Sequence, residues 1–157
     1  VRRTHRLAAL ALVAFAPAAC NDVTFQGPEP EVIEDVTFDA SLNVDLSQMT
    51  KTSTGLYYQD LVVGEGATPV DGDSVTVNYT GWLRNGYQFD SGDFGFHLGQ
   101  NEVIPGFDEG VHGMNVGGKR KLIMPSSLGY GPYGSGPIPG GAILIFDVEL
   151  VSIDAGG

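Results

Sequence analysis

The chain is poor in the residue types that most often carry covalent or metal chemistry. Cys20 is the only cysteine in 157 residues, so no intrachain disulfide can form. Its three histidines, His5, His97 and His112, form no Cys/His cluster and no HxxxH spacing, so no residue set points to a metal centre. Ser126, Ser127 and Ser135 lie among glycines and prolines, where turn chemistry explains them, and no nucleophile elbow surrounds any of them. Basic residues are scarce: eight Lys and Arg against 19 Asp and Glu, with three of the eight ahead of Cys20. That balance disfavours nucleic-acid binding, since phosphate contacts need a basic face. The one basic cluster, Lys119-Arg120-Lys121, reads as a solvated strand edge with side chains on alternate faces. Nothing calls for a cofactor.

The longest apolar run, LAALALVAFA, is too short for a confident membrane span. It follows Arg2, Arg3 and Arg6 and precedes small residues, so residues 1–20 read as a secretory signal peptide. The signal ends in PAAC. That string resembles a bacterial lipoprotein box, which implies acylation of Cys20 and anchoring on the cell envelope; ordinary cleavage after Ala16-Pro17-Ala18 is the alternative, leaving an unmodified thiol on a periplasmic protein. A single acyl chain alone would hold only weakly. Residues 21–50 begin with GPEPEVIED, acidic and proline-containing without period, and read as a flexible spacer. Leu42, Leu46 and Met49 could form one helical turn or two, but no heptad is sustained.

Residues 51–157 differ in character. Glycine is abundant, 23 residues in the whole chain, and 42% hydrophobic residues suffice for a core. SVTVNYTGWL alternates, with Val75, Val77 and Tyr79 on one face and Thr76, Asn78 and Thr80 on the other. Asn85-Gly86 then signals a hairpin back into FGFHLG, which sets Phe94, Phe96 and Leu98 together. GGKRKLIMP and AILIFDVELVSI read as further strands, the last with Leu144, Phe146, Val148 and Leu150 on one side. Between them SSLGYGPYGSGPIPGG is long enough for a loop in a compact domain to suggest a function.

One stretch, EVIPGFDEGVHGM, reads as a helix: Pro105 suits a first helical position, and Phe107, Val111 and Met114 recur at i, i+4 and i+7. Gly110 and Gly113 lower its intrinsic propensity, so it is expected to be short and held by packing on a sheet. The pattern is that of an α+β domain. Tyr79, Phe89, Phe94, Phe96, Phe107, Tyr130 and Phe146 all fall on core faces, each readable as plain core. Together they suggest a lined cleft, because two carry hydroxyls that need partners and the Asp90 carboxylate follows Phe89 directly.

VTVNYTGWLRNGYQFDS, FHLGQNEVIPGFDEGVHGMNVGGKRKL, SSLGYGPYGSGPIPGGAIL and FDVELVSI, in this order over Thr50 to Asp154, resemble the FKBP-type peptidyl-prolyl cis-trans isomerases. The resemblance implies an antiparallel sheet, a half-barrel, wrapped around one short helix with a hydrophobic pocket between them. It implies an isomerase (rotamase) acting on X-Pro bonds of exported proteins. Tyr79, Phe89, Asp90, Phe107, Tyr130 and Phe146 would be the catalytic set, and Phe94, Phe96, Val103, Ile104 and Ile138 would bind substrate. The Ile104 N–H and the Tyr130 hydroxyl would donate to ligand carbonyls. Implied partners are proline-containing polypeptide clients and the macrolide inhibitors of the family. Three features depart from the family pattern. Phe107 stands where many members have tryptophan, only Ser91, Gly92 and Asp93 separate Asp90 from Phe94, and the loop before the last strand has no histidine. They motivate an alternative, a non-catalytic chaperone or binding module of the same fold.

Overall fold

The computed structural model describes residues 27–154. The expected signal peptide, Cys20 and the start of the expected spacer lie outside these residues. Six antiparallel strands form one open sheet: β1 (Thr50–Lys51), β2 (Tyr57–Val62), β3 (Ser74–Leu83), β4 (Gln88–His97), β5 (Lys119–Met124) and β6 (Leu144–Asp154). Their spatial order is β1-β2-β5-β6-β3-β4, and α1 (Pro105–Val111), the one α-helix among the described residues, completes the α+β architecture. The β3–β4 hairpin turns at Asn85-Gly86, where Gly86 takes φ 85° and donates its N–H to Leu83 O at 3.0 Å. Only glycine holds that left-handed φ without cost.

Strand alternation sets the main core. Val75 and Val77 of β3 face Phe96 and Phe94 across one pairing, and Ile153 and Leu150 across the other. Val77, Leu150 and Phe96 are buried in the cluster that also holds Leu122 and Met124 of β5. Against this face lies α1, burying Phe107 and Val111, with Met114 buried just beyond the helix. The helix is three residues shorter at its end than the apolar stripe, because the chain leaves helical geometry at His112. Gly110 has a packing reason that propensity does not show: a Cβ there would collide with the δ-methyls of Leu122. The helix thus trades propensity for close approach to the sheet.

The reading of Lys119-Arg120-Lys121 as a solvated edge is corrected. β5 lies between β2 and β6, and Arg120 and Lys121 are only 7% and 5% exposed. Arg120 points to the helix side, donating Nη1–H to Gly110 O at 3.0 Å and His112 O at 2.9 Å, and Nε–H to Asp60 at 2.7 Å. It satisfies the orphan carbonyls at the end of α1 and offsets the negative end of its dipole. On the opposite face Lys121 Nζ lies 2.7 Å from Asp147 Oδ1, an ion pair whose angle does not make a hydrogen bond, and over the Trp82 ring. A buried cation is tolerated only when paired in this way.

That opposite face carries a second departure. The expected flexible spacer is, from residue 27 to 49, a packed arm with three 3-10 turns: Ile33–Asp35, Ala40–Leu42 and Leu46–Gln48. Asp39 and Asp45 cap the latter two, accepting from Ser41 N at 2.9 Å and Ser47 N at 3.0 Å. Ile33 and Leu42 are buried on Tyr57, Ile123, Ile143 and Ile145, with Phe38, Leu46 and Met49 packed around them. Each such aliphatic side chain contributes roughly 1.5–3 kcal/mol on full burial, enough to hold a segment without long regular structure. The sheet is therefore covered on both faces.

Candidate functional site

The pocket starts from an irregularity in the β3–β4 ladder. Gly81 pairs with Asp90, but Trp82 pairs with Gln88, which leaves Phe89 as the extra residue of a β-bulge. In a regular strand Phe89 and Asp90 would face opposite sides of the sheet. The bulge turns both toward the helix side. Across from them Gly81 leaves room for two rings, since a Cβ there would lie 2.6 Å from Phe146 Cε1 and 2.7 Å from Phe89 Cζ. Phe89 and Phe146 use that space to meet edge to face at 5.5 Å.

Phe107, in the first turn of α1, forms the floor. Its ring meets Phe146 at 5.3 Å, Tyr79 at 5.7 Å and Phe96 at 5.9 Å, all near edge to face. Above it opens a cavity of about 490 Å³, the size of a small-molecule site. Tyr79, Phe89, Asp90, Phe107, Tyr130 and Phe146 all line it, as do Phe94, Val103 and Ile104. Phe94 is 45% exposed at the mouth and stacks on Phe96 at 6.3 Å. Phe96 and Ile138 do not line the cavity. Phe96, 2% exposed, supports Phe107 from behind, and Ile138, 6% exposed, is core beneath the loop that it closes by a bridge to Ser135.

Two lining residues, Asn101 and Glu102, escaped the sequence reading. Asn101 takes φ 57°, a left-handed turn residue that swings Glu102 to the rim. Glu102 is held there by His97, whose N–H donates at 2.9 Å and whose Nδ1 lies at 2.9 Å. The His97 backbone N–H, more than any other contact, holds the Glu102 carboxyl below the usual range. Their available signal was adjacency to Val103 and Ile104.

Polar order in the pocket is local. Tyr79 donates its hydroxyl to Asp90 Oδ2 at 2.7 Å, and Ser91 N–H donates to Asp90 Oδ1 at 2.9 Å. Burial first, and then the bond to the carboxylate, push the Tyr79 phenol up to about 12. It stays a donor across the physiological range. Ile104 caps the helix, its carbonyl accepting from Phe107 N at 3.0 Å and Asp108 N at 3.2 Å. Neither the Ile104 N–H nor the Tyr130 hydroxyl is engaged by a hydrogen bond among the described residues, and both residues line the cavity. The site offers an apolar slot with fixed donors and no nucleophile placed beside a base.

Residues 65–151 match the family described as FKBP-type peptidyl-prolyl cis-trans isomerase. An FK506-binding protein of Neisseria meningitidis serogroup B is 50% identical over 105 residues, covering 63% of this chain and 96% of that protein. FK506-binding protein 4 of Dictyostelium discoideum is 52% identical over 110 residues, covering 68% of this chain but only 30% of that longer protein. Among solved structures, FkpA from Escherichia coli superposes with a TM-score of 0.65 at 40% identity, over 70% of this chain and 53% of that one. The family match and the likeness in fold agree, and the chain belongs to the FKBP-type peptidyl-prolyl cis-trans isomerases.

Proposed function

We propose that the chain accelerates rotation about X-Pro bonds in exported polypeptides, holding the twisted amide in the aromatic pocket. The observation that carries this reading is the cavity floored by Phe107 and walled by Tyr79, Phe89 and Phe146, with two donors at its rim that have no partner among the described residues. Rotation of the imide is opposed by amide resonance, a barrier of about 18–20 kcal/mol. No bond forms or breaks, so the protein has only to bind the twisted amide better than the planar one. Each tenfold in rate needs about 1.4 kcal/mol of that difference.

The geometry offers the means. The proline ring enters between Tyr79, Phe89 and Phe146 and rests on Phe107. The Ile104 N–H and the Tyr130 hydroxyl fix flanking carbonyls, while Val103 and Phe94 exclude water at the mouth. The planar amide is the more polar form, and removing its water favours the twisted one. Asp90 acts as the polar partner in the wall, orienting the Tyr79 ring through the 2.7 Å bond. Macrolides of the kind named in the relatives, FK506 among them, would occupy the same slot. The signal-like segment 1–20 and Cys20 support export and a lipid-anchored place in the cell envelope.

A protease-coupled assay on Leu-Pro and Phe-Pro peptides tests the reading, with FK506 as competitor. Acceleration that FK506 suppresses is expected. Folded protein that binds FK506 but leaves isomerisation at the uncatalysed rate would overturn catalysis in favour of a binding module.

A further inference from the structure

We infer that Glu31, in the arm behind the sheet, is a positioning residue for the pocket and acts through Tyr130. This rests on the isomerase reading above. Tyr130 belongs to a glycine- and proline-rich loop with only short 3-10 turns, Ser126–Leu128 and Gly131–Tyr133, and one isolated bridge. Such a segment has little internal order with which to fix a hydroxyl, and each backbone residue held in one conformation costs about 1–2 kcal/mol. Its order has to come from outside.

The arm supplies it at one residue. The Glu31 N–H donates to Gly141 O at 2.9 Å, and the Gly141 N–H donates to Gly131 O at 2.9 Å, beside Tyr130. The Glu31 carboxylate accepts from Ile143 N at 3.1 Å through Oε2 and from Arg84 Nε at 2.5 Å through Oε1. Arg84 sits in the β3–β4 turn, a few residues before the Phe89 bulge. A second link is parallel to it, Asp39 N–H donating to Arg84 O at 2.8 Å. Glu31 therefore ties together the loop of Tyr130, through its backbone N–H on Gly141 and its carboxylate on Ile143 just after that loop, and the hairpin of Phe89 and Asp90, through its carboxylate on Arg84, from the face opposite the pocket. Pro28 and Pro30 precede it and stiffen the arm. Gly27 of the arm also lies close against the loop, since a Cβ there would fall 2.7 Å from Pro132 O.

The test compares Glu31→Ala and Glu31→Gln, alone and combined with Tyr130→Phe. Emission of Trp82, which packs at the arm–sheet interface, checks that the arm stays docked. Glu31→Gln keeps an acceptor for Ile143 and loses the charge facing Arg84, so it remains readable where the Ala variant fails to fold. We expect kcat/KM to fall about fivefold in Glu31→Ala, by less in Glu31→Gln, and by much less again when Tyr130 is already Phe. An equal fall in both backgrounds, or none in either, would overturn the coupling. Amide exchange gives a readout independent of turnover: Gly141, whose carbonyl accepts from the Glu31 backbone N–H and which lies just ahead of the Ile143 amide held by the mutated side chain, should exchange faster in Glu31→Ala while the amides within β6 do not. Unchanged exchange at Gly141 overturns the clamp. An inactive wild-type chain would refute the isomerase reading, and the exchange at Gly141 decides the clamp in either case.

Discussion

Truncating the floor of the pocket should separate stability from catalysis in a measurable way. Phe107 is buried, and its ring touches three other rings at 5.3, 5.7 and 5.9 Å. Phe107→Ala removes a full aromatic side chain, a change that costs about 3–5 kcal/mol in a closed core. Here the space it leaves merges with the 490 Å³ cavity and fills with water, so no sealed void remains and the cost belongs at the low end, about 3 kcal/mol. A domain of this size has about 5–15 kcal/mol in hand, so the variant should fold. Turnover should suffer more than the fold does. The proline ring would lose its floor, and water would reach the amide whose desolvation drives rotation. We expect kcat/KM to fall at least about tenfold, with Phe107→Leu intermediate. Urea unfolding followed by near-ultraviolet circular dichroism, beside the peptide assay, reads both quantities. A loss of less than about 1 kcal/mol, or turnover unchanged in a folded Ala variant, would refute the role given to this ring.

Three further outcomes follow from other contacts. Gly110→Ala should destabilise by about 1–3 kcal/mol although alanine is the better helix former, because the new methyl meets Leu122; a gain in melting temperature would contradict that packing. Tyr79, with its phenol raised to about 12, favours the folded state fully below the unfolded value near 10 and loses that contribution as pH rises through its folded value. Tyr79→Phe should therefore flatten part of the alkaline fall in stability, and identical curves would argue against the burial of the hydroxyl first and the Asp90 bond second. Asp90 and Glu102 line the pocket with no Lys or Arg beside them among the described residues, so peptides with Lys next to the proline should outperform those with Glu. The preference should shrink in about 1 M salt, where exposed charges are screened within about 3 Å, and its persistence there would point to direct contact instead.

Much of the site was legible because its residues obey period two. Tyr79 follows Val75 and Val77, Phe94 precedes Phe96, and Phe146 leads Val148 and Leu150, so alternation alone puts them on the helix side. Phe89 and Asp90 break the rule, being consecutive, and only the bulge explains how both reach the pocket; a bulge leaves no mark in the pattern beyond that conflict. The helix was visible from Pro105 and Phe107, but Gly110 read as a weakness until Leu122 stood opposite it.

The arm is the instructive failure. Leu42, Leu46 and Met49 carry a helical spacing that the chain does not use, because Leu42 and Leu46 sit on separate 3-10 turns, as does Ile33 on a third. The missing signal lay at the other end of the sequence. Ile143-Leu144-Ile145-Phe146 is apolar without a break, and a strand with one wet face alternates. Ile143 and Ile145 point away from the helix, as do Ile123 and Trp82, so something apolar had to lie on the back of the sheet. Only the segment before β1 had unassigned aliphatic residues enough to supply it. The same inference explains Lys121: a lysine on that covered face is buried, and it needed Asp147 within ion-pair reach, a partner that register alone places directly across the β5–β6 ladder.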